Sequence, residues 1–211
     1  MVRRAPTTGR GPPLVASRGR ASGEPNDGTL TGMSDRAKVR DIYEGRVVHL
    51  TVEEITLPNG HRMEIEIIRH PGASAVVPLT AEGDVILVRQ YRHAVGGYIY
   101  EVPAGKLDKG EPPEVCAARE LTEEAGVVAG RLMHLASIVT TPGFTDEVIH
   151  LYLAEDLTPA ATAHEPDEVM TLLRRPLGET VAMIARGEIT DGKSICALFL
   201  AERTVRERAS R

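Results

Sequence analysis

The stretch from Gly105 to Val127 constrains this chain more than any other. It reads Gly105-Lys106-Leu107-Asp108-Lys109-Gly110-Glu111-Pro112-Pro113-Glu114-Val115-Cys116-Ala117-Ala118-Arg119-Glu120-Leu121-Thr122-Glu123-Glu124-Ala125-Gly126-Val127. Pro112 and Pro113 suit a first helical turn, where a missing N–H costs nothing. Gly126 suits the left-handed position after a last turn, and the residues between are good helix formers. The spacing therefore predicts a loop, a helix and a glycine stop. At about 100° per residue, Glu120 and Glu124 fall one turn apart on one face, with Glu123 beside them. Val115, Ala118, Leu121 and Ala125 fall on the opposite arc and are expected to pack inward. Three carboxylates near a helix C-terminus violate both like-charge spacing and the helix dipole. Two local rules broken together mark a functional site. The alternative is a solvated acidic face. A hard divalent cation such as Mg²⁺, held by carboxylate oxygens and substrate phosphates, resolves the conflict. Arg119 is placed to pair with one glutamate and fix its rotamer. A strand ending near Val102 delivers Pro103-Ala104-Gly105 to the loop, which makes the main-chain oxygen of Ala104 a candidate ligand.

Charge and apolar patterning exclude several classes. With 25 basic and 30 acidic residues the net charge is −5, so there is no basic footprint for nucleic acid. No apolar run reaches the roughly 20 residues that span a bilayer. Cys116 and Cys196 read as buried or reduced thiols rather than a disulfide or metal pair, fitting a cytoplasmic enzyme. Trp is absent, which leaves base stacking to the few Tyr and Phe residues.

Residues 1–36 are rich in Arg, Gly, Pro, Ser and Thr, and are expected to be a disordered tail. Met33 offers an alternative start. Residues 37–74 read as a small antiparallel β meander. Val47–Val52 and Ile55–Leu57 lead to the Pro58-Asn59-Gly60 turn, after which Met63, Ile65 and Ile67 alternate with Glu64 and Glu66. His70-Pro71-Gly72 breaks the pattern. Residues 75–208 read as the main domain. Its strands are expected at 75–79, 85–91, 98–102, 132–140, 148–154 and 170–173, with an acidic loop over 155–168. Two helices follow, over 177–187 and 191–208, the second with a core stripe of Ile195, Leu198, Phe199 and Leu200.

The Gly105–Val127 stretch resembles the Nudix box, Gly-x5-Glu-x7-Arg-Glu-U-x-Glu-Glu-x-Gly-U, with U a bulky aliphatic residue. Every fixed position matches: Gly105, Glu111, Arg119, Glu120, Leu121, Glu123, Glu124, Gly126 and Val127. Beyond the box the chain is similar to the ADP-ribose pyrophosphatase branch of Nudix hydrolases. The likeness lies in Arg69-His70-Pro71-Gly72-Ala73, Val88–Arg92, Glu101–Gly105 and Thr141–Glu147, with Pro142 fifteen residues after Val127.

The resemblance implies an α/β fold, an α/β/α sandwich around a mixed sheet, assembled as a homodimer through the meander. It implies hydrolysis of ADP-ribose or a related nucleoside diphosphate sugar, giving AMP and ribose 5-phosphate with Mg²⁺, or alternatively Mn²⁺. Another nucleoside diphosphate substrate, or a non-catalytic nucleotide sensor, are the competing readings. Glu120, Glu123, Glu124 and the Ala104 carbonyl would bind metal, and Arg119 would orient the glutamates. Glu111 would support the loop and helix start. Glu168 matches the general base, with Glu165 in reserve; the plain alternative is a solvated loop carboxylate. Arg92 matches a phosphate contact or else is a surface cation. Gly143 and Phe144 would line the ribose or base region, unless Phe144 is core. One departure concerns an Arg-Glu pair that touches the nucleotide in this branch. Its equivalent here is Ile65-Glu66, so Glu66 keeps a role while the arginine is lost or moved to Arg62 or Arg69.

Overall fold

A computed structural model of the chain describes residues 38–163 and 169–210. The expected tail and the alternative start at Met33 lie outside the described residues, as do Glu165 and Glu168. In chain order the strands are β1 (Lys38–Glu44), β2 (His49–Thr56), β3 (Arg62–Arg69), β4 (Ala73–Pro78), β5 (Asp84–Arg92), β6 (Gly97–Glu101) and β7 (Ala104–Lys106). Helix α1 (Pro113–Ala125) follows, then β8 (Val127–Val139), β9 (Val148–Pro159), β10 (Met170–Pro176), α2 (Leu177–Ala185) and α3 (Gly192–Ala209).

Strand β4 is the spine. All six of its residues are buried, as a strand covered on both faces requires. It pairs parallel with β9 and antiparallel with β7, and β8 completes a mixed sheet in the order β7-β4-β9-β8. Val76 and Tyr152 point to one face, where they pack with Ala117, Leu121 and Ala125 of α1. Ala75, Val77, Leu151 and Leu153 point to the other, against Leu177 and Met183 of α2 and Ala197 and Leu198 of α3. Helices on both faces of the mixed sheet give the expected sandwich. A second sheet, β10-β5-β6, is antiparallel throughout, and the meander β1-β2-β3 forms a third.

Several local expectations need correction. Strand β1 (Lys38–Glu44) precedes the first expected run at Val47–Val52; it is exposed along its whole length and so has no buried face to mark it by apolar alternation. The 155–168 loop begins later than expected, because β9 runs to Pro159 against an equally lengthened β8. A short strand, β7, occupies the Gly-rich loop. On α1, Ala118 and Val115 are exposed, and the buried face is Cys116, Ala117, Glu120, Leu121, Glu124 and Ala125. The Glu120 and Glu124 carboxylates therefore face inward with Leu121 rather than opposite it. Phe199 points outward from α3, where Ser194, Ala197, Leu198 and Ala201 are buried. Cys196 is exposed, and both cysteines are free thiols. Among the described residues no helix is long and apolar enough to cross a membrane.

Candidate active site

Helix α1 is set by its surroundings at both ends. The Ser74 hydroxyl donates to the Pro113 carbonyl at 2.7 Å. At the far end Gly126 takes φ 65° and its N–H caps onto the Thr122 carbonyl, a conformation that glycine adopts without steric cost. Strand β7 lies beside the helix and pairs Ala104 with Ala75 of β4. The Ala104 N–H donates to Glu124 Oε2 at 2.9 Å. Gly105 lies under Glu120 so closely that a Cβ there would sit 1.8 Å from Glu120 Oε1. The first glycine of the box is thus a matter of space, since its φ is not in the left-handed region.

Arg119 is the electrostatic hub. Its Nε and Nη2 donate to the two oxygens of Glu111, both at 3.0 Å. Its Nη1 donates to Glu120 Oε1 at 2.6 Å and to Glu123 Oε2 at 3.1 Å. Its Nη2 also reaches the Lys106 carbonyl at 3.2 Å. This fork ties the loop to the helix in the bidentate geometry that suits arginine. The Glu111 hydrogen bonds raise the Arg119 pKa further. In return Arg119, with help from the Asp108 N–H, lowers the Glu111 pKa from 4.5 to about 2. Burial pushes the Cys116 thiol up to about 11, which leaves it a packing group rather than a nucleophile.

A pH prediction follows from Glu111. Its folded pKa is depressed, so its stabilisation is present above 4.5 and is lost as pH falls toward about 2. Denaturant unfolding of wild type and Glu111→Gln should show a gap that is full at neutral pH and closes through that window. A gap independent of pH would contradict the pairing.

Glu120 and Glu124 are only 8% and 4% exposed, whereas the Glu123 side chain is 40% exposed. Two buried carboxylates and a third at the rim, beside a bare glycine backbone, form a hard-oxygen donor set. Such a set fits a divalent cation that keeps waters and takes substrate oxygens. Among the described residues no three His, Cys, Asp or Glu side chains are gathered closely enough to hold a metal ion as they stand, with Arg119 bonded to both Glu120 and Glu123.

The other expected residues lie in three places. Arg92, at the end of β5, donates from Nε to Glu101 Oε2 at 2.9 Å. Glu101 is buried and also accepts from Lys193 at the start of α3. That helix is capped by Asp191, which accepts from the Ser194 N–H and hydroxyl, and the Ser194 oxygen accepts from the Val102 N–H. Gly143 and Phe144 sit on the 141–147 loop, with Phe144 half exposed rather than core. Glu66 is exposed on β3 opposite Val52. Arg69 is engaged by Glu53 and Asp146. Sequence reasoning missed Glu101, Lys193 and Glu53. The Asp191-x-x-Ser194 capping pattern was a readable signal; a glutamate facing inward from a strand was not.

The α/β/α sandwich thus carries a loop–helix unit in which Glu111, Glu120 and Glu123 gather around Arg119. The NUDIX domain model matches residues 68–197. The chain belongs to the Nudix family of pyrophosphohydrolases. It is 44% identical to the methanol dehydrogenase activator of Bacillus methanolicus, over 76% of this chain and 88% of that protein. It is 41% identical to the ADP-ribose pyrophosphatase of Bacillus subtilis, over 74% and 86%. To the ADP-ribose pyrophosphatase of Mycobacterium tuberculosis it is 36% identical, over 75% and 78%. The crystal structure of an ADP compounds hydrolase shares the fold, with a TM-score of 0.71 and 24% identity over 81% of this chain and 93% of that one.

Proposed function

We propose that this protein hydrolyses the pyrophosphate bond of ADP-ribose or a close nucleoside diphosphate sugar, releasing AMP and ribose 5-phosphate. The observation that carries the reading is the buried Glu120–Glu124 pair, held against the β7 backbone by Arg119 and the Ala104 N–H. Two relatives named as ADP-ribose pyrophosphatases support the substrate class.

Glu120, Glu123, Glu124 and the Ala104 carbonyl would hold a divalent cation, Mg²⁺ in the first instance and Mn²⁺ as an alternative. When bound, the cation neutralises phosphate charge and acidifies water. Arg119 keeps the Glu120 and Glu123 carboxylates aimed. Glu111 locks Arg119 to the loop. Arg92, oriented by Glu101, offers its terminal nitrogens to a phosphate. Glu168 takes the proton of the attacking water. Glu66, Gly143 and Phe144 contact the nucleoside or ribose. The protein works as a cytoplasmic homodimer, with the meander as the joining element.

A second reading, another nucleoside diphosphate sugar, is favoured by Ile65 standing where an arginine is expected. A GDP-mannose pyrophosphatase of Escherichia coli is also 34% identical, over 65% of this chain and 80% of that protein. A sensor without turnover has no use for buried acidic side chains, which cost free energy to desolvate. Ranking kcat/KM for ADP-ribose, ADP-glucose, GDP-mannose and deoxynucleoside triphosphates with Mg²⁺ tests the reading. ADP-ribose ranks first if it is correct; a clear preference for GDP-mannose would move the assignment to the second.

A further inference from the structure

The end of the meander is joined to the 141–147 loop by one arginine. Arg69 donates from Nη1 to Asp146 Oδ2 at 2.7 Å, and its Nη2 bonds Glu53. Glu53 is buried on β2, where the Thr51 hydroxyl also donates to it at 3.2 Å. The Arg69 and Glu53 side chains are 23% and 5% exposed. A carboxylate so enclosed needs a cation in place, so Arg69 has a fixed position from which to hold Asp146. The anchoring continues through the backbone. The His70 N–H donates to Asp146 Oδ1 at 2.9 Å, and the Ile68 N–H donates to the Phe144 carbonyl at 2.7 Å. The half-exposed Phe144 ring is thus bracketed by bonds to the meander at its own carbonyl and two residues later. A Cβ added at Gly143 would meet nothing within 4 Å. The loop is tied to the meander while its Phe144 ring stays half exposed.

We propose that Arg69 is a positioning residue for substrate affinity: by joining Glu53 of the meander to Asp146, it holds Gly143 and Phe144 where they meet the nucleoside diphosphate sugar. This rests on the substrate reading above and assigns Arg69 no contact with the reacting atoms. Its role falls on KM and not on kcat. Two carboxylates approached from one side require the planar fork of arginine; the single ammonium of lysine satisfies one of them.

The test is steady-state kinetics with Mg²⁺ and ADP-ribose on wild type, Arg69→Lys, Asp146→Asn and the double variant, with thermal unfolding of each. Asp146→Asn leaves the Arg69–Glu53 pair intact, so it reads the loop without disturbing the buried carboxylate. Asp146→Asn is expected to raise KM about tenfold with kcat within about twofold. Arg69→Lys should raise it less, and the double variant should match Asp146→Asn, since both changes break one link. An unchanged KM, a loss confined to kcat, or fully additive effects would overturn the proposal. If wild type prefers another sugar nucleotide, the same comparison on that compound decides the inference while the substrate reading falls separately. If nothing is turned over, the Kd for ADP-ribose replaces KM, and an unchanged Kd in Asp146→Asn overturns it.

Discussion

Glu124→Gln is expected to lower kcat by about 100-fold or more while the fold survives. Even groups that merely orient metal ligands cost about 10- to 100-fold when removed, and Glu124 is proposed as a ligand itself. The amide oxygen of Gln still accepts from the Ala104 N–H, which now bonds Glu124 Oε2 at 2.9 Å. Volume and helix propensity are nearly unchanged, so circular dichroism and the unfolding midpoint should stay close to wild type. Because Glu124 is 4% exposed, an amide there costs less to desolvate than a carboxylate. Turnover near the wild-type rate in the folded variant would refute the metal assignment.

The second large effect is expected from Gly105→Ala. The added methyl would lie 1.8 Å from Glu120 Oε1 and 2.2 Å from its carboxyl carbon. Something must move, and the far end of the glutamate moves more cheaply than the β7 backbone. The stability cost should therefore be modest, about 1–3 kcal/mol as for other overpacked sites. The activity cost should be large. A displaced Glu120 leaves the 2.6 Å bond from Arg119 and its alignment with Glu124, and a misplacement of about 1 Å costs on the order of 10²-fold in rate. Kinetics beside denaturant unfolding separates the two terms. Full activity in the alanine variant would show that the close approach has no role in the site.

The two glycines of the box show what the sequence conveys and what it hides. Gly126 was readable from local rules, since a helix of good formers needs a left-handed stop and has one at φ 65°. Gly105 was readable only as part of a pattern. Its physical reason, the Glu120 carboxylate lying across it, depends on a strand and a helix meeting. The same division runs through the site. Helical spacing placed Glu120, Glu123 and Glu124 together and put Arg119 within reach of them. It did not reveal that the acidic face turns inward, because the 3.6-residue period identifies faces without saying which is buried. Charged residues assigned to solvent by rule are here buried against the β7 loop. Strand extents failed where side chains gave no alternation: β1 has no buried face, and the far end of β9 is polar. Long-range pairs lay beyond sequence reasoning altogether. Arg69 and Asp146 are 77 residues apart, and nothing local to either predicts the other.

The central claim is that this site cleaves a sugar nucleotide between its phosphates. The most direct measurement incubates the purified protein with Mg²⁺ and ADP-ribose and separates the products by ion-exchange chromatography. AMP and ribose 5-phosphate in equal amounts, formed with Mg²⁺ and absent after chelation, is the predicted result. Tight binding of ADP-ribose with no product under the same conditions would contradict the account and make the protein a nucleotide-binding module.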